Sequence, residues 1–370
     1  FEPATFSLFI RKYPANRGYF VTAGLEDVLD FLENFRFSTE DIDYLRSMNL
    51  FSEKFLDYLA QMRFRGDVFA VPEGRLFFKD EPIVEVTAPV IEAQIMESAV
   101  INAINFPVIL TTKASRCAHA AQGRGLVDFS LRRTHGPDAS LHVARNSYIG
   151  GFTGTSNVLA GQKYGIRVSG TMAHSFIMSF TDEIDALRAF ARTFGSETVL
   201  LIDTYDTVVG AKKAITVARE MEDRGERLRG VRLDSGDMTS LSKEVRALLE
   251  EAGLDYVKIF ASGSYDEFKI RDAVQNGARI DAFGVGTKMG VSADAPYTDM
   301  AYKLVEYADR PVLKLSTGKQ SLPGKKQVFR VRDGDRLAKD IIDRRKEMQP
   351  GEPLLTQVME GGRRMQDPEA

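Results

Sequence analysis

Residues 198–237 read TVLLIDTYDTVVGAKKAITVAREMEDRGERLRGVRLDSGD. The apolar run 198–202 is followed by the acidic turn Asp203-Thr204-Tyr205-Asp206. Residues 209–223 then repeat apolar positions at helical spacing, and a second apolar run, 230–233, leads into Asp234-Ser235-Gly236-Asp237. A short apolar run, a polar loop, an amphipathic helix and another short run form the pattern of a parallel βαβ unit. The same rhythm extends outward. Residues 126–130, 148–152, 166–168, 256–260 and 280–285 are further short apolar runs, most of them followed by Gly, Ser or Asp and then by helix, and 241–251 is another amphipathic helix. Seven runs, with an eighth candidate at 302–306, predict an α/β fold: an irregular (β/α) barrel rather than a doubly wound sheet.

The two ends of the chain lack that rhythm. Residues 6–10 read as a strand, and 25–35 as a helix with Leu25, Val28, Leu29, Leu32 and Phe35 on one face. Ser38-Thr39-Glu40-Asp41 supplies a cap and first turn for a helix over 42–48. Strand and turn alternate over 64–86 around Pro72-Glu73-Gly74, and two helices are predicted over 91–105 and 112–122. From Arg310 onward Pro, Gly and Lys punctuate short strands, and 366–370 terminate nothing recognisable. The expected organisation is an α+β domain built from both chain ends, 1–110 plus 308–370, flanking a barrel over 111–307. A length of 370 residues, at about 150 per domain, suggests two or three domains, or one large one plus an appendage.

Composition excludes several classes. Lys and Arg total 49 against 52 Asp and Glu, a net charge of −3, where a nucleic-acid-binding protein is expected to be strongly basic. A local arginine cluster for a small anion is still compatible with that total. The single cysteine, Cys117, cannot form an internal disulfide, and with four histidines it leaves no spaced Cys/His metal site. No apolar run approaches the roughly 20 residues needed to span a bilayer. The chain opens at Phe1 rather than Met, so the expectation is that its native N-terminus lies upstream. The protein is expected to be soluble and cytoplasmic.

In a (β/α) barrel the chemistry sits at the C-terminal ends of the strands. The residues just beyond the successive runs are Arg132-Arg133; Thr153-Gly154-Thr155-Ser156-Asn157; Ser169-Gly170-Thr171 with His174 three residues on; Asp203 and Asp206; Arg232 with Asp234-Ser235-Gly236-Asp237; Ser262-Gly263-Ser264; and Gly284-Val285-Gly286-Thr287-Lys288. Gly263, Gly284 and Gly286 allow backbone N–H groups close to a phosphate, with Thr287 and Lys288 as further donors. A plain strand-to-helix turn explains a single Gly-x-Gly equally well; two such turns at neighbouring strand ends favour phosphate. Arg232 and Asp234 could simply pair and cap the next helix, the default for one charge pair. Arg132-Arg133 is harder to dismiss, because adjacent cations repel unless an anion lies nearby. The carboxylates suit Mg²⁺ or ribose hydroxyls, with Asp206 and Asp237 as the metal candidates. His174 is the candidate nucleophile or acid/base, while His119, His135 and His142 read as structural.

With these stretches in hand, the sequence resembles the nicotinate phosphoribosyltransferases of the type II phosphoribosyltransferase fold, over essentially the whole chain. The resemblance is carried by residues 128–139 (DFSLRRTHGPDA), 151–157 (GFTGTSN), 170–175 (GTMAHS), 203–206 (DTYD), 232–237 (RLDSGD), 283–287 (FGVGT) and 322–327 (LPGKKQ). It implies an enzyme of NAD salvage that joins nicotinate to 5-phosphoribosyl-1-pyrophosphate, with ATP as co-substrate and Mg²⁺. It further implies that His174 is transiently phosphorylated, that Arg132, Thr171 and Arg232 surround nicotinate, and that Thr287 and Lys288 hold the ribose phosphate. Beside it, the chemistry of the residues puts Asp203 or Asp234 at the positively charged ribosyl centre, Ser156 facing the acid of nicotinate, and the turns at Gly263, Gly284 and Gly286 around phosphate. A homodimer with active sites at the interface is implied too, as is a ring-stacking tyrosine in a segment upstream of Phe1. Longer members of the family also extend beyond this chain's C-terminus.

Several rivals stand beside this reading. Nicotinamide phosphoribosyltransferases share the fold and the histidine, but carry an acidic residue about where Ser156 sits. Quinolinate phosphoribosyltransferases fit the Gly-Thr-x-x-His stretch less well. A phosphosugar aldolase or isomerase would want a Schiff-base lysine or a Glu/His pair at strand ends. A catalytically dead nucleotide-binding paralogue is the non-enzymatic alternative, against which the intact set His174, Arg132, Arg232, Asp203 and Asp234 speaks.

Overall fold

A computed structural model of the protein describes residues 1–316 and 321–365; residues 366–370, in which the sequence shows no recognisable ending, lie outside them. The chain divides into two compact units, Leu110–Pro296 and the combination of Phe1–Ile109 with Tyr297–Ala370.

The first of these is the barrel. Its strands are all parallel, in the order Gly154–Thr155, Gly125–Asp128, Ala282–Val285, Lys258–Ala261, Gly230–Leu233, Val199–Leu201. A single bridge from Thr155 to Val168 extends one end of the row. The sheet curls into a half-barrel. Buried Leu200, Leu201, Val231, Leu233, Ile259, Ala261, Phe283 and Val285 make the strands apolar, as parallel strands covered by helices must be. Three of these strands lead into helices, Thr207–Glu222, Met238–Glu251 and Glu267–Gln275, and each helix begins at an aspartate. Asp206 accepts from the Val209 N–H (2.8 Å), Asp237 from Thr239 (3.1 Å) and Asp266 from Lys269 (2.9 Å). Each carboxylate thus satisfies an orphan donor of its helix's first turn. Several strands start on glycine, at Gly125, Gly154 and Gly230, and the lumen there stays open as a cavity of about 490 Å³ reaching Thr171.

Two of the predicted barrel runs are not regular strands. Within 148–152, Tyr148 and Ile149 finish the helix Pro137–Ile149, and Gly150 and Gly151 turn the chain ahead of the true strand, Gly154–Thr155. The apolar run joins a helix end to a buried loop residue, Phe152, and Tyr148 itself is exposed. The stretch 166–168 contributes only the Val168 bridge. The eighth candidate, 302–306, is a strand, Met300–Tyr307, but it pairs antiparallel with Pro3–Ile10 outside the barrel.

That pairing is central to the other unit, where both chain ends meet. Its seven-stranded sheet runs Arg310–Pro311, Met300–Tyr307, Pro3–Ile10, Val84–Pro89, Asp67–Ala70, Thr356–Glu360, Arg363–Arg364, with all neighbours antiparallel. Helices Leu25–Asn34, Thr39–Ser47 and Glu53–Gln61 bury Leu32, Ile42 and Leu56 in the same core as Leu8, Phe77, Val86 and Met359. The predicted cap is a full capping box: Ser38 Oγ accepts from the Asp41 N–H while Asp41 accepts from the Ser38 N–H. A three-stranded sheet, Arg336–Arg344, Lys326–Asp333, Glu352–Pro353, and a two-stranded one, Phe20–Val21 with Leu76–Phe77, belong to this unit too.

The two helices predicted over 91–105 and 112–122 are one, Glu97–Ala121, running through Pro107 and preceded by a short helix, Val90–Ile95. Proline has no N–H to give the carbonyl four residues back, here that of Ala103. Gly24 covers that carbonyl. A Cβ on Gly24 would stand 2.1 Å from the Ala103 oxygen, and its φ of +89° suits glycine as well. The backbone of Gly24, whose own N–H donates to Glu73 Oε1 at 2.6 Å, therefore packs directly against that carbonyl. Among the described residues no helix is long and apolar enough to cross a membrane.

Candidate active site

Strands Val199–Leu201, Gly230–Leu233 and Lys258–Ala261 bring Asp203, Arg232, Asp234 and Ser262 together at their C-terminal ends. The Asp234 N–H and the Ser235 hydroxyl both donate to Asp203 Oδ2, at 2.8 and 2.7 Å. The other oxygen of Asp203, Oδ1, is buried and accepts no hydrogen bond among the described residues. Arg232 is held on three sides: Nε donates to Ser262 Oγ (2.8 Å), Nη1 to Thr171 Oγ1 (2.7 Å) and Nη2 to Asp234 Oδ1 (2.8 Å). Its guanidinium lies over the Phe129 ring, 5.6 Å from the centroid, a stacking arrangement favourable to a cation.

His174 opens the short helix His174–Met178. Its Nδ1 is 3.1 Å from Thr204 Oγ1 and its Nε2 3.6 Å from Asp234 Oδ2. Burial alone would raise the Asp234 carboxyl, but the Ser262 hydroxyl, the Arg232 guanidinium and His174 outweigh it and hold the group below its ordinary value. Asp234 is thus a carboxylate that touches both the arginine and the histidine. The default reading of Arg232 and Asp234 as a mutual ion pair is right as far as it goes, while the next helix is capped by Asp237 instead.

The remaining strand ends are organised around Asp128, which is fully buried. It accepts from the Ser130 N–H (2.9 Å), the Ser130 hydroxyl (2.5 Å) and the Thr155 hydroxyl (2.8 Å), and burial still pushes its carboxyl up. Ser156 follows, its N–H donating to the Asp128 carbonyl at 2.8 Å. Arg132 lies in the exposed 3₁₀ turn Leu131–Arg133, and neither Arg132 nor Arg133 forms an ion pair among the described residues.

The glycines divide by role. Gly263, at φ +111°, crosses the Asp234 backbone so closely that a Cβ would meet its carbonyl oxygen at 2.5 Å. Gly284 makes room for Phe129, whose ring would lie 2.8 Å from any Cβ there, so it serves the platform under Arg232. Gly286 precedes the short helix Thr287–Gly290, from which Lys288 Nζ donates to Asp266 Oδ2 at 2.8 Å. Asp206 and Asp237 are helix caps, and among the described residues no group of three His, Cys, Asp or Glu side chains could hold a metal ion. Sequence reading gives no role to Phe129, Thr204, Ser235 or Asp266. Only Asp266 carries a separable signal, as an aspartate directly ahead of a helix.

A curled parallel half-barrel whose strand ends gather a fixed arginine, two carboxylates and a histidine, beside glycine turns and a lysine, places the chain among (β/α)-barrel folds with a polar, cation-bearing cluster at the strand ends. Comparison with known proteins narrows the class. The model of the nicotinate phosphoribosyltransferase (NAPRTase) N-terminal domain matches residues 1–105, and that of the NAPRTase family matches residues 125–327. A nicotinate phosphoribosyltransferase (pncB2) of Mycobacterium tuberculosis is 49% identical over 362 residues, covering 98% of this chain and 78% of that protein. That of Bacillus subtilis is 41% identical over 337 residues, covering 89% and 68%. The crystal structure of human nicotinic acid phosphoribosyltransferase superposes with a TM-score of 0.86 at 27% identity, covering 99% of this chain and 86% of that one. The chain belongs to the nicotinate phosphoribosyltransferase family.

Proposed function

We propose that this protein is an ATP-coupled nicotinate phosphoribosyltransferase of NAD salvage. Nicotinate and 5-phosphoribosyl-1-pyrophosphate give nicotinate mononucleotide and pyrophosphate, while ATP and water give ADP and phosphate by way of a phosphoryl group carried on His174. Family membership supports the overall reaction. The observation that carries the choice of substrate is the state of Arg232. Of the five N–H donors of a guanidinium, three are engaged by Ser262, Thr171 and Asp234. The side chain is therefore fixed with two donors left, and a planar carboxylate is the group that two coplanar N–H donors match. The amide of nicotinamide offers a single acceptor oxygen and turns an NH₂ group toward the cation.

The roles of the other residues come from the chemistry. Positive charge grows on the ribosyl carbon as pyrophosphate leaves, and the carboxylates Asp203 and Asp234 oppose it. Thr287, Lys288 and the turns at Gly263 and Gly286 take the phosphate, while Arg132 and Ser156 complete the nicotinate end. Magnesium, when bound, offsets charge on pyrophosphate. Asp203 fits such an ion best, because its buried Oδ1 has no hydrogen-bond partner among the described residues, whereas Asp206 and Asp237 are engaged as caps. A single protein carboxylate suffices for a metal that takes its other ligands from water and substrate phosphates. Assembly as a cytoplasmic homodimer with sites at the interface belongs to the same proposal.

Pyrophosphate release measured with nicotinate, nicotinamide or quinolinate, each with and without ATP, tests it. Release with nicotinate that ATP increases is the expected result. Release driven by nicotinamide or quinolinate would move the protein to a sister activity, and silence with all three would favour a binding-only paralogue. His174→Ala is expected to abolish nicotinate-dependent ATP hydrolysis and to leave slow, ATP-independent ribosylation. Loss of all ribosylation in a folded His174→Ala protein would remove the carrier role.

A further inference from the structure

Lys288 stands on a helix of four residues, Thr287–Gly290, with its side chain half exposed. So short a helix contributes little rigidity of its own, and a lysine carries about 2 kcal/mol of rotamer entropy that must be lost before it can hold a ligand. One contact limits it: Nζ donates to Asp266 Oδ2 at 2.8 Å. Asp266 is itself buried and fixed at its other oxygen, Oδ1, which accepts from the Lys269 N–H as the cap of the helix Glu267–Gln275. One carboxylate thus caps the helix with one oxygen and holds the lysine with the other.

The next residue explains why Asp266 does not move. Glu267 is 4% exposed and lies among charges that have left water together. Lys113 Nζ, itself 1% exposed, is 2.5 Å from Glu267 Oε2 and donates to Asp294 Oδ1 at 2.7 Å. Arg116 Nε donates to Glu267 Oε1 at 3.0 Å, and the Phe268 ring packs against both cations. Breaking a buried ion pair leaves an uncompensated charge, which is strongly unfavourable, so this cluster anchors the first turn of the helix rigidly.

We infer that Asp266 is a positioning residue for phosphoribosyl pyrophosphate: backed by the buried Lys113–Glu267 cluster, it keeps the Lys288 ammonium at the glycine turn before substrate arrives. This rests on the proposed role of Lys288 as a phosphate-holding group. Preorganisation of this kind lowers the cost of binding and leaves the chemical step alone. The opposite effect is also physically open, since a carboxylate on Lys288 competes with the incoming phosphate, and the two effects have opposite signs.

Asn is as good a helix cap as Asp, so Asp266→Asn removes the ion pair and keeps the cap. Kinetics of the whole enzyme at saturating nicotinate and ATP would be compared for the natural protein, Asp266→Asn, Lys288→Met and the double variant, with Tm measured alongside. Asp266→Asn is expected to raise KM for phosphoribosyl pyrophosphate about fivefold, the upper range for a partly exposed pair, with kcat and Tm nearly unchanged. Lys288→Met is expected to raise it at least as far, and the double variant no further, because both changes remove one interaction. An unchanged or lowered KM in Asp266→Asn overturns the inference, as does strict additivity in the double variant. If Lys288→Met leaves KM unaltered, the phosphate-holding role of Lys288 fails and the inference falls with it.

Discussion

Replacing Arg232 by lysine keeps one positive charge and removes the fork. A lysine cannot satisfy Ser262, Thr171 and Asp234 together and still present two donors to a ligand. Arg232→Lys is therefore expected to raise KM for nicotinate by about two orders of magnitude, the loss of a bidentate charge-assisted pair, and to raise KM for the phosphoribosyl substrate far less. Equal losses on both substrates in steady-state kinetics would mean that Arg232 only shapes the site. The positions of Arg232, Asp234 and His174 were legible because strand ends can be found from apolar runs, although a charge at a strand end can equally be a helix cap, as Asp206, Asp237 and Asp266 are. Thr171 and Ser262 were also placed at strand ends, but not as the partners that hold Arg232. Thr204 and Ser262 are ordinary loop hydroxyls, and Phe129 became a platform only when the sheet curled and Gly284 left room for its ring.

The helix Thr207–Glu222 fixes the site through an absent side chain. A Cβ on Gly210 would stand 2.0 Å from the Ile202 carbonyl oxygen, so the helix lies directly on the strand end that carries Asp203. Gly210→Ala is expected to cost about 1–3 kcal/mol by overpacking, read from a urea midpoint, and to lower kcat because the displaced backbone is next to Asp203. A variant that loses stability at unchanged kcat would show that the packing and the carboxylate are independent. Elements bounded by strong punctuation were readable: the Ser38–Asp41 capping box and the strand Gly230–Leu233 lie where the sequence puts them. Boundaries failed where tertiary packing overrode local signals. The stretches 91–105 and 112–122 read as two helices, yet one helix, Glu97–Ala121, spans the gap through Pro107 with Gly24 against the freed carbonyl; the run 148–152 reads as one strand, yet two glycines divide it.

Over the whole molecule, the unit built from both ends carries its own response to pH. The Glu81 carboxyl is pushed up to about 7, by burial first and by the neighbouring Asp340, against the Phe78 N–H and the Arg330 guanidinium. Arg330 Nε donates to Asp340 Oδ1 at 3.0 Å, so the guanidinium that attracts Glu81 is already paired with another carboxylate. The folded chain keeps this proton up to about pH 7, whereas the unfolded chain releases it near the ordinary glutamate value of 4.5. Stability from this group is accordingly full below that lower value and falls as pH rises toward 7, with a slope of at most about 1.4 kcal/mol per pH unit. Tm of the natural protein should decline from about pH 5.5 to 7.5 more than that of Glu81→Gln; parallel curves would remove Glu81 as the cause. The parallel unit, with its repeating run-loop-helix pattern, was legible at this scale. The partner of Met300–Tyr307 was not, because nothing local distinguishes a last barrel strand from one that returns to residues 3–10.

That return has a consequence for synthesis. Phe6 pairs with Leu304 and Ala4 with Tyr307, so this strand, translated ahead of the barrel, waits for one of its two neighbours until the entire barrel has been translated. At about 5–20 residues per second the wait is tens of seconds, and during it one edge of an apolar strand stays open to other chains. That open edge can template mispairing until Met300–Tyr307 has emerged from the ribosome and closes it.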